Sequence, residues 1–170
     1  MRVSGEVLIG QTALGARVEA LARAIAADTG EGGELSVIAL MDGAFMFCAD
    51  LVRRLPMPVR LALVPIKSID RGGNPSALVL PDGFPLEGAD VLIVEDILDT
   101  GRTLAALRGH ILAQRPARLR IAVLLDKPVR RAVPLTADYV GFQIPDRWIV
   151  GYKLDIDGLY RNLPYITFVE

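Results

Sequence analysis

Residues 91–103 restrict the fold of this chain more than any other segment. Val91–Val94 predict a buried strand, with the acids Glu95–Asp96 at its carboxyl end. Asp99–Thr103 then form a short polar loop, and from Leu104 onward apolar residues recur at helical spacing. A strand, a tight turn and a helix in this order predict an α/β protein.

The same segment suggests a ligand. Ligands of open α/β sheets bind just beyond the carboxyl ends of the strands. A loop rich in backbone N–H groups at the start of a helix binds anions such as phosphate. Because carboxylates repel phosphate, we interpret Glu95 and Asp96 as acceptors for sugar hydroxyls. The residues therefore favour a phosphorylated sugar as the ligand.

Strands and helices alternate along the rest of the chain. Leu14, Val18, Leu21 and Ile25 have the spacing of an amphipathic helix, and residues 44–55 predict a second helix. Further strands are predicted at residues 35–41, 59–66, 119–125, 138–144, 148–152 and 165–169. This alternation predicts a mainly parallel twisted sheet flanked by helices on both faces, as one domain over residues 1–170.

Composition excludes several classes of protein. The chain has 170 residues, of which 52% are hydrophobic, so a disordered chain is excluded. Its net charge of −1, from 19 basic and 20 acidic residues, argues against a nucleic-acid binder. The single cysteine, Cys48, excludes an intrachain disulfide and a cysteine-rich metal site. Without an apolar leader or a long apolar span, we expect a cytoplasmic protein with no membrane partner.

Two parts of the sequence resemble one family. The 91–103 run resembles the ribose-phosphate motif of phosphoribosyltransferases: a hydrophobic strand, two acids, two apolar residues and Asp-Thr-Gly-x-Thr. Leu124–Lys127 and the segment from Tyr139 to Tyr165 resemble the purine-binding end of phosphoribosyltransferases of the hypoxanthine-guanine type. The resemblance implies a type I-like phosphoribosyltransferase fold, in which the terminal segments form a small hood. It also implies Mg²⁺-dependent reaction of phosphoribosyl pyrophosphate with a 6-oxopurine, and a homo-oligomer, either dimer or tetramer.

The resemblance implies roles on the ribose-phosphate side. Glu95 and Asp96 would bind the ribose hydroxyls and, together with Asp155, lie near the magnesium ion. Arg161 would lie near the pyrophosphate. The 5′-phosphate would be held by the loop that contains Thr100, Gly101, Arg102 and Thr103.

On the base side, the resemblance makes Asp99 the catalytic proton acceptor facing purine N7. Lys127 would donate a hydrogen bond to the exocyclic O6. Trp148 would stack on the base, and Ile149 would contact its edge through the backbone. An unperturbed aspartate is ionised at neutral pH, as a proton acceptor must be.

The chain departs from the family pattern at three positions. Asp42, with Gly43, lies in the turn resembling the pyrophosphate-binding loop, where the family often has lysine. Ser68 lies in the loop 67–76, which we interpret as a lid, but Ile69 replaces the tyrosine that usually follows the serine. Ile156 replaces a common tyrosine after Asp155.

Two alternatives remain open at the level of sequence. One is a regulator of the same fold that binds a nucleotide or phosphoribosyl pyrophosphate without turnover. The presence of Asp99, Lys127 and Arg161 together argues against it. The other is a transferase that prefers xanthine, and the sequence does not rank the three bases.

Overall fold

The computed structural model describes residues 3–41, 43–65 and 80–170. Among them no helix is long and apolar enough to cross a membrane. The elements follow in the order β1 (Val3–Ile9), α1 (Gln11–Thr29), β2 (Leu35–Met41), α2 (Phe45–Val52), β3 (Val59–Pro65), β4 (Asp90–Leu98), α3 (Arg102–Leu112), β5 (Arg118–Asp126), a 3-10 turn (Pro128–Arg130), β6 (Tyr139–Gln143), β7 (Ile149–Val150) and β8 (Ile166–Val169).

The larger sheet has five strands in the order β3-β2-β4-β5-β6. Every neighbouring pair is parallel. The central strands are buried on both faces, as Leu35–Leu40 and Val91–Val94 illustrate, because helices cover both sides. This arrangement confirms the predicted fold class.

One hydrophobic core lies on each face of this sheet. Helices α1 and α2 pack on one face, where Leu14, Val18, Leu21 and Ile25 are buried as their spacing predicts. Helix α3 packs on the other face against alternate residues of the same strands. Since successive residues of a strand point to opposite faces, each central strand contributes to both cores.

The two ends of the chain form a separate three-stranded antiparallel sheet in the order β1-β8-β7. It corresponds to the small hood that the family resemblance implies. Residues Val3 and Val169, near opposite ends of the chain, are partners in it. Strand β1 was not predicted from the sequence.

Strand β4 is longer than its apolar run, which corrects the prediction that it ends before Glu95. It continues through Glu95 and Asp96 to Leu98 because β5 continues to pair with it there. Its other neighbour, β2, pairs with it only as far as Val94. Beyond Val94 the β2 side of the strand is therefore open.

Candidate active site

A cleft of ≈ 310 Å³ lies where β2 and β4 diverge. From β2 the chain continues to β3, toward one edge of the sheet. From β4 it continues to β5, toward the opposite edge. Such a reversal of strand order is where open α/β sheets bind ligands. The cleft is lined by Gly43, Asp96, Ile97, Asp99, Lys127, Trp148, Ile149, Lys153, Leu154, Asp155 and Arg161.

A larger surface hollow, of ≈ 620 Å³, lies beside β6. Its charged groups, Asp126 and Arg131, form an ion pair with each other. The smaller cleft instead collects charged groups from several elements, so we assign the candidate site to it.

Glu95 and Asp96 form a buried acidic pair near the carboxyl end of β4. They are only 8% and 9% exposed, and the Asp96 N–H donates to Glu95 Oε1 at 3.0 Å. Burial raises the pKa of Glu95 well above its usual range, and the charge of Asp96 raises it further. Burial also raises the pKa of Asp96, against which Arg161 acts in the opposite direction. Asp96 lines the cleft, whereas Glu95 is not among its lining residues.

Gly43 brings the turn after β2 against this pair. A Cβ atom at Gly43 would lie 2.1 Å from Asp96 Oδ2, so only glycine fits beside the carboxylate without displacing it. Asp42 and Ser68, two further predicted contacts, lie outside the described residues, as does the predicted lid at 67–76.

The loop after β4 leads directly into the N-terminus of α3, where the sequence predicts a phosphate site. Gly101 has φ +83° and directly precedes α3, which begins at Arg102. Thr100 and Thr103 are half-buried on either side, and Arg102 is exposed. The N-terminus of α3 therefore lies next to Asp99, as the predicted phosphate loop requires.

Asp99 is held by two consecutive arginines. Arg130 Nε donates to Asp99 Oδ1 at 2.9 Å, and Arg130 Nη2 donates to Oδ2 at 3.4 Å. Arg131 Nη1 donates to the carbonyls of Asp99 and Leu98, the latter at 3.1 Å. Neither arginine was predicted as a site residue from the sequence.

The opposite wall carries the groups predicted to contact a base. Lys127 Nζ donates to the carbonyl of Arg147 at 2.9 Å and lies 3.7 Å from Asp146 Oδ1. Trp148 is 74% exposed and borders the cleft, whereas Ile149 is buried in β7. An indole so exposed contributes little to the core and offers a flat surface to a ligand.

Asp155 and Arg161 complete the cleft. Arg161 Nη2 lies 2.8 Å from Asp155 Oδ1. Arg161 is bonded twice to the backbone of Lys153: Nη1 donates to the Lys153 carbonyl at 3.1 Å, and the Lys153 N–H donates to the Arg161 carbonyl at 3.0 Å. Lys153 has φ +83°, a conformation that is costly for a residue with a Cβ.

Three residues of the cleft were not predicted from the sequence: Ile97, Lys153 and Leu154. Lys153 and Leu154 directly precede Asp155 in the chain, and this adjacency was the only signal available for them. The positive φ of Lys153 could not be predicted from the sequence, because lysine rarely adopts such a conformation.

Comparisons with known proteins agree with this geometry. A family model described as the phosphoribosyl transferase domain matches residues 9–157. The hypoxanthine phosphoribosyltransferase of Salmonella typhimurium is 38% identical over 98% of this chain and 96% of its own length. The hypoxanthine-guanine phosphoribosyltransferase of Aquifex aeolicus is 37% identical over 97% of this chain and 94% of its own length.

A solved structure is similar over the whole fold. The crystal structure of a hypoxanthine-guanine phosphoribosyltransferase from Bacillus anthracis, with a HEPES molecule in its active site, superimposes with a TM-score of 0.90. The two chains are 40% identical, and the match covers 99% of this chain and 100% of that one.

Proposed function

The chain belongs to the phosphoribosyl transferase family, and from this we propose that its cleft joins a 6-oxopurine base to the ribose of phosphoribosyl pyrophosphate. The chain is a purine-salvage enzyme whose products are a nucleoside monophosphate and pyrophosphate. In the reaction, a bond forms between purine N9 and ribose C1′ while the bond from C1′ to the pyrophosphate oxygen breaks. The electron pair of the broken bond leaves with pyrophosphate.

The base lies against Trp148 in this proposal. The exposed indole provides a stacking surface, and the backbone of Ile149 borders the same wall. Lys127, whose ammonium is held at the end of β5, donates to the exocyclic O6. Asp99 accepts the proton of N7, which increases the electron density available at N9. Stacking and these two polar contacts align N9 with C1′.

The ribose phosphate lies along β4 and the start of α3. Asp96, which lines the cleft, and Glu95 beside it accept hydrogen bonds from the ribose hydroxyls. The loop from Thr100 to Thr103 binds the 5′-phosphate through backbone N–H groups at the helix N-terminus. Gly43 and Arg161 border the space left for pyrophosphate.

Enzymes of this family use a divalent metal, and we propose Mg²⁺ here. Among the described residues no group of three or more His, Cys, Asp or Glu could form a metal cage. Mg²⁺ bound together with substrate phosphates needs only one or two carboxylates, and Asp96 and Asp155 both line the cleft. The donor set therefore fits. When bound, the ion would neutralise charge on the departing pyrophosphate.

We further propose a cytoplasmic single-domain enzyme that acts as a homo-oligomer. Its substrate, phosphoribosyl pyrophosphate, is a polyanion that does not cross a lipid bilayer unaided. The second copy would cover the open edge strand β3, where Leu61 and Leu63 are 44% and 41% exposed.

The observation that carries the proposal is the convergence of Asp96, Asp99, Lys127, Trp148 and Arg161 on one cleft from four segments of the chain. The test is an absorbance assay with phosphoribosyl pyrophosphate, Mg²⁺ and hypoxanthine, guanine or xanthine. Inosine or guanosine monophosphate is the expected product. If xanthosine monophosphate is the only product, the base that the enzyme uses is xanthine and not hypoxanthine or guanine. Binding by calorimetry without any product would replace the enzyme with a regulator of the same fold.

A further inference from the structure

The short turn Pro128–Arg130 and the residue after it brace the loop that carries Asp99. Arg130 binds the Asp99 carboxylate, and Arg131 binds the Asp99 carbonyl. Arg131 is itself fixed by an ion pair with Asp126. Backbone bonds from Lys127 N to the Leu98 carbonyl and from Ala132 N to the Thr100 carbonyl, each 3.0 Å, join the same two segments. The two segments therefore behave as one unit.

The two contacts that Arg130 makes with Asp99 are unequal. The bond to Oδ1 has an ordinary length of 2.9 Å, whereas the contact to Oδ2 is 3.4 Å. Oδ1 thus serves as the anchor, and Oδ2 retains lone pairs for another donor. We propose that Arg130 is a positioning residue, which orients the Asp99 carboxylate so that Oδ2 accepts the N7 proton of the purine.

This inference rests on the proposed function and adds a residue to it. It follows a general rule of proton transfer in enzymes: the base is oriented by a third group that does not touch the substrate. The negative charge facing Arg130 comes from Asp99 and from Asp146 Oδ2, which lies 3.8 Å from Arg130 Nη1. Both carboxylates stabilise the guanidinium and raise its pKa, with Asp99 as the larger cause.

Asp146 extends the arrangement to the second polar contact of the base. Its Oδ1 lies 3.7 Å from Lys127 Nζ. Asp99 and Lys127, the proposed partners of N7 and O6, are therefore connected through Arg130 and Asp146. An isolated exposed ion pair contributes little to stability, so this network is expected to act on geometry rather than on folding.

The test compares Arg130→Gln and Arg130→Lys with the unchanged enzyme. Arg115→Gln is the matched control, because Arg115 also pairs with a carboxylate, Glu87 at 2.7 Å, on a surface away from the cleft. The rate of nucleotide formation is measured in a single turnover, so that product release does not hide the chemical step. Arg130→Gln is expected to lower this rate roughly 10–10²-fold, since small misplacements of reacting groups have effects of this size.

The KM for the base should change much less than the rate in Arg130→Gln. Arg130→Lys should restore only part of the rate, because an ammonium keeps the charge but lacks the planar fork. If Arg130 acts through Asp99, the double variant Asp99→Asn/Arg130→Gln should be no slower than Asp99→Asn alone. Additive losses, an effect on KM alone, or an unchanged rate would each overturn the proposal.

The same experiments separate this inference from the proposed function. If the unchanged enzyme forms no nucleotide, the proposed function itself fails. If it is active and Arg130→Gln is equally active, only the role of Arg130 fails.

Discussion

At the scale of single residues, the proposed chemistry of Asp99 can be tested by exchanging one oxygen for nitrogen. Asp99→Asn keeps the shape of the side chain but cannot accept a proton, so turnover should fall on the order of 10²–10⁴-fold. The sole tryptophan, Trp148, borders the cleft, so its fluorescence is expected to report base binding. That binding should change little in the variant. Asp82→Asn, in an exposed turn, is the control, and equal turnover in the two variants would remove Asp99 from the mechanism.

Glu95 makes a second prediction at this scale, which concerns stability. Its native pKa is raised above the ordinary value of 4.5, so the native state keeps a proton that the unfolded chain releases as pH rises. The free energy of unfolding should therefore fall as the pH rises above that ordinary value. Glu95→Gln cannot ionise and should be more stable than the unchanged protein at about pH 8 but not at about pH 4. Urea denaturation at both pH values measures this difference, and an equal gap at both would contradict it.

At the scale of elements, local pattern predicted the buried strands well. The bounds of β2, Leu35–Met41, are those predicted from its apolar run. The end of β4 was predicted wrongly, since pairing with β5 overrides the two charged residues. Strand β1 was missed because Gly5 and Glu6 interrupt its apolar pattern, and it forms by pairing with β8 from the other end of the chain. Elements that depend on distant partners are those the sequence reveals least.

The hood offers an element-scale prediction with an internal control. Gly151 follows β7 with φ +101°, and a Cβ there would lie 1.9 Å from the carbonyl oxygen of Tyr165. Gly158 has φ +78° with nothing within 4 Å of such a Cβ. Gly158→Ala should cost only the strain of a positive φ, roughly 1–2 kcal/mol. Gly151→Ala adds a backbone clash and should cost more than about 3 kcal/mol. Thermal denaturation compares the two, and equal losses would mean that the hood adapts to the added methyl group.

At the scale of the whole molecule, the candidate site was predictable residue by residue but not as an arrangement. Motif resemblance selected Asp96, Asp99, Lys127, Trp148 and Arg161, and the fold brings all of them to one cleft. Their roles stay predictions until variants are measured. The contact between Asp99 and Arg130, 31 positions apart, was not predictable from sequence. It depends on β4 and β5 lying side by side and ending together, which no local pattern specifies.

The proposed homo-oligomer gives the last prediction, at the same scale. In β3, Ala62 and Val64 are buried in the core on the α3 side of the sheet. Because successive residues of a strand alternate between faces, Leu61 and Leu63 point to the opposite face, where they are exposed. A charge placed there should prevent a second copy from packing, because burying an unpaired carboxylate is unfavourable. Leu63→Glu should therefore lower the molar mass measured by light scattering below that of the unchanged protein. Leu112→Glu, at a leucine of α3 with a similar exposure of 42%, should leave the mass unchanged. A Leu63→Glu protein that keeps the mass of the unchanged protein would move the interface away from β3, and a single-chain mass for the unchanged protein itself would refute the oligomer.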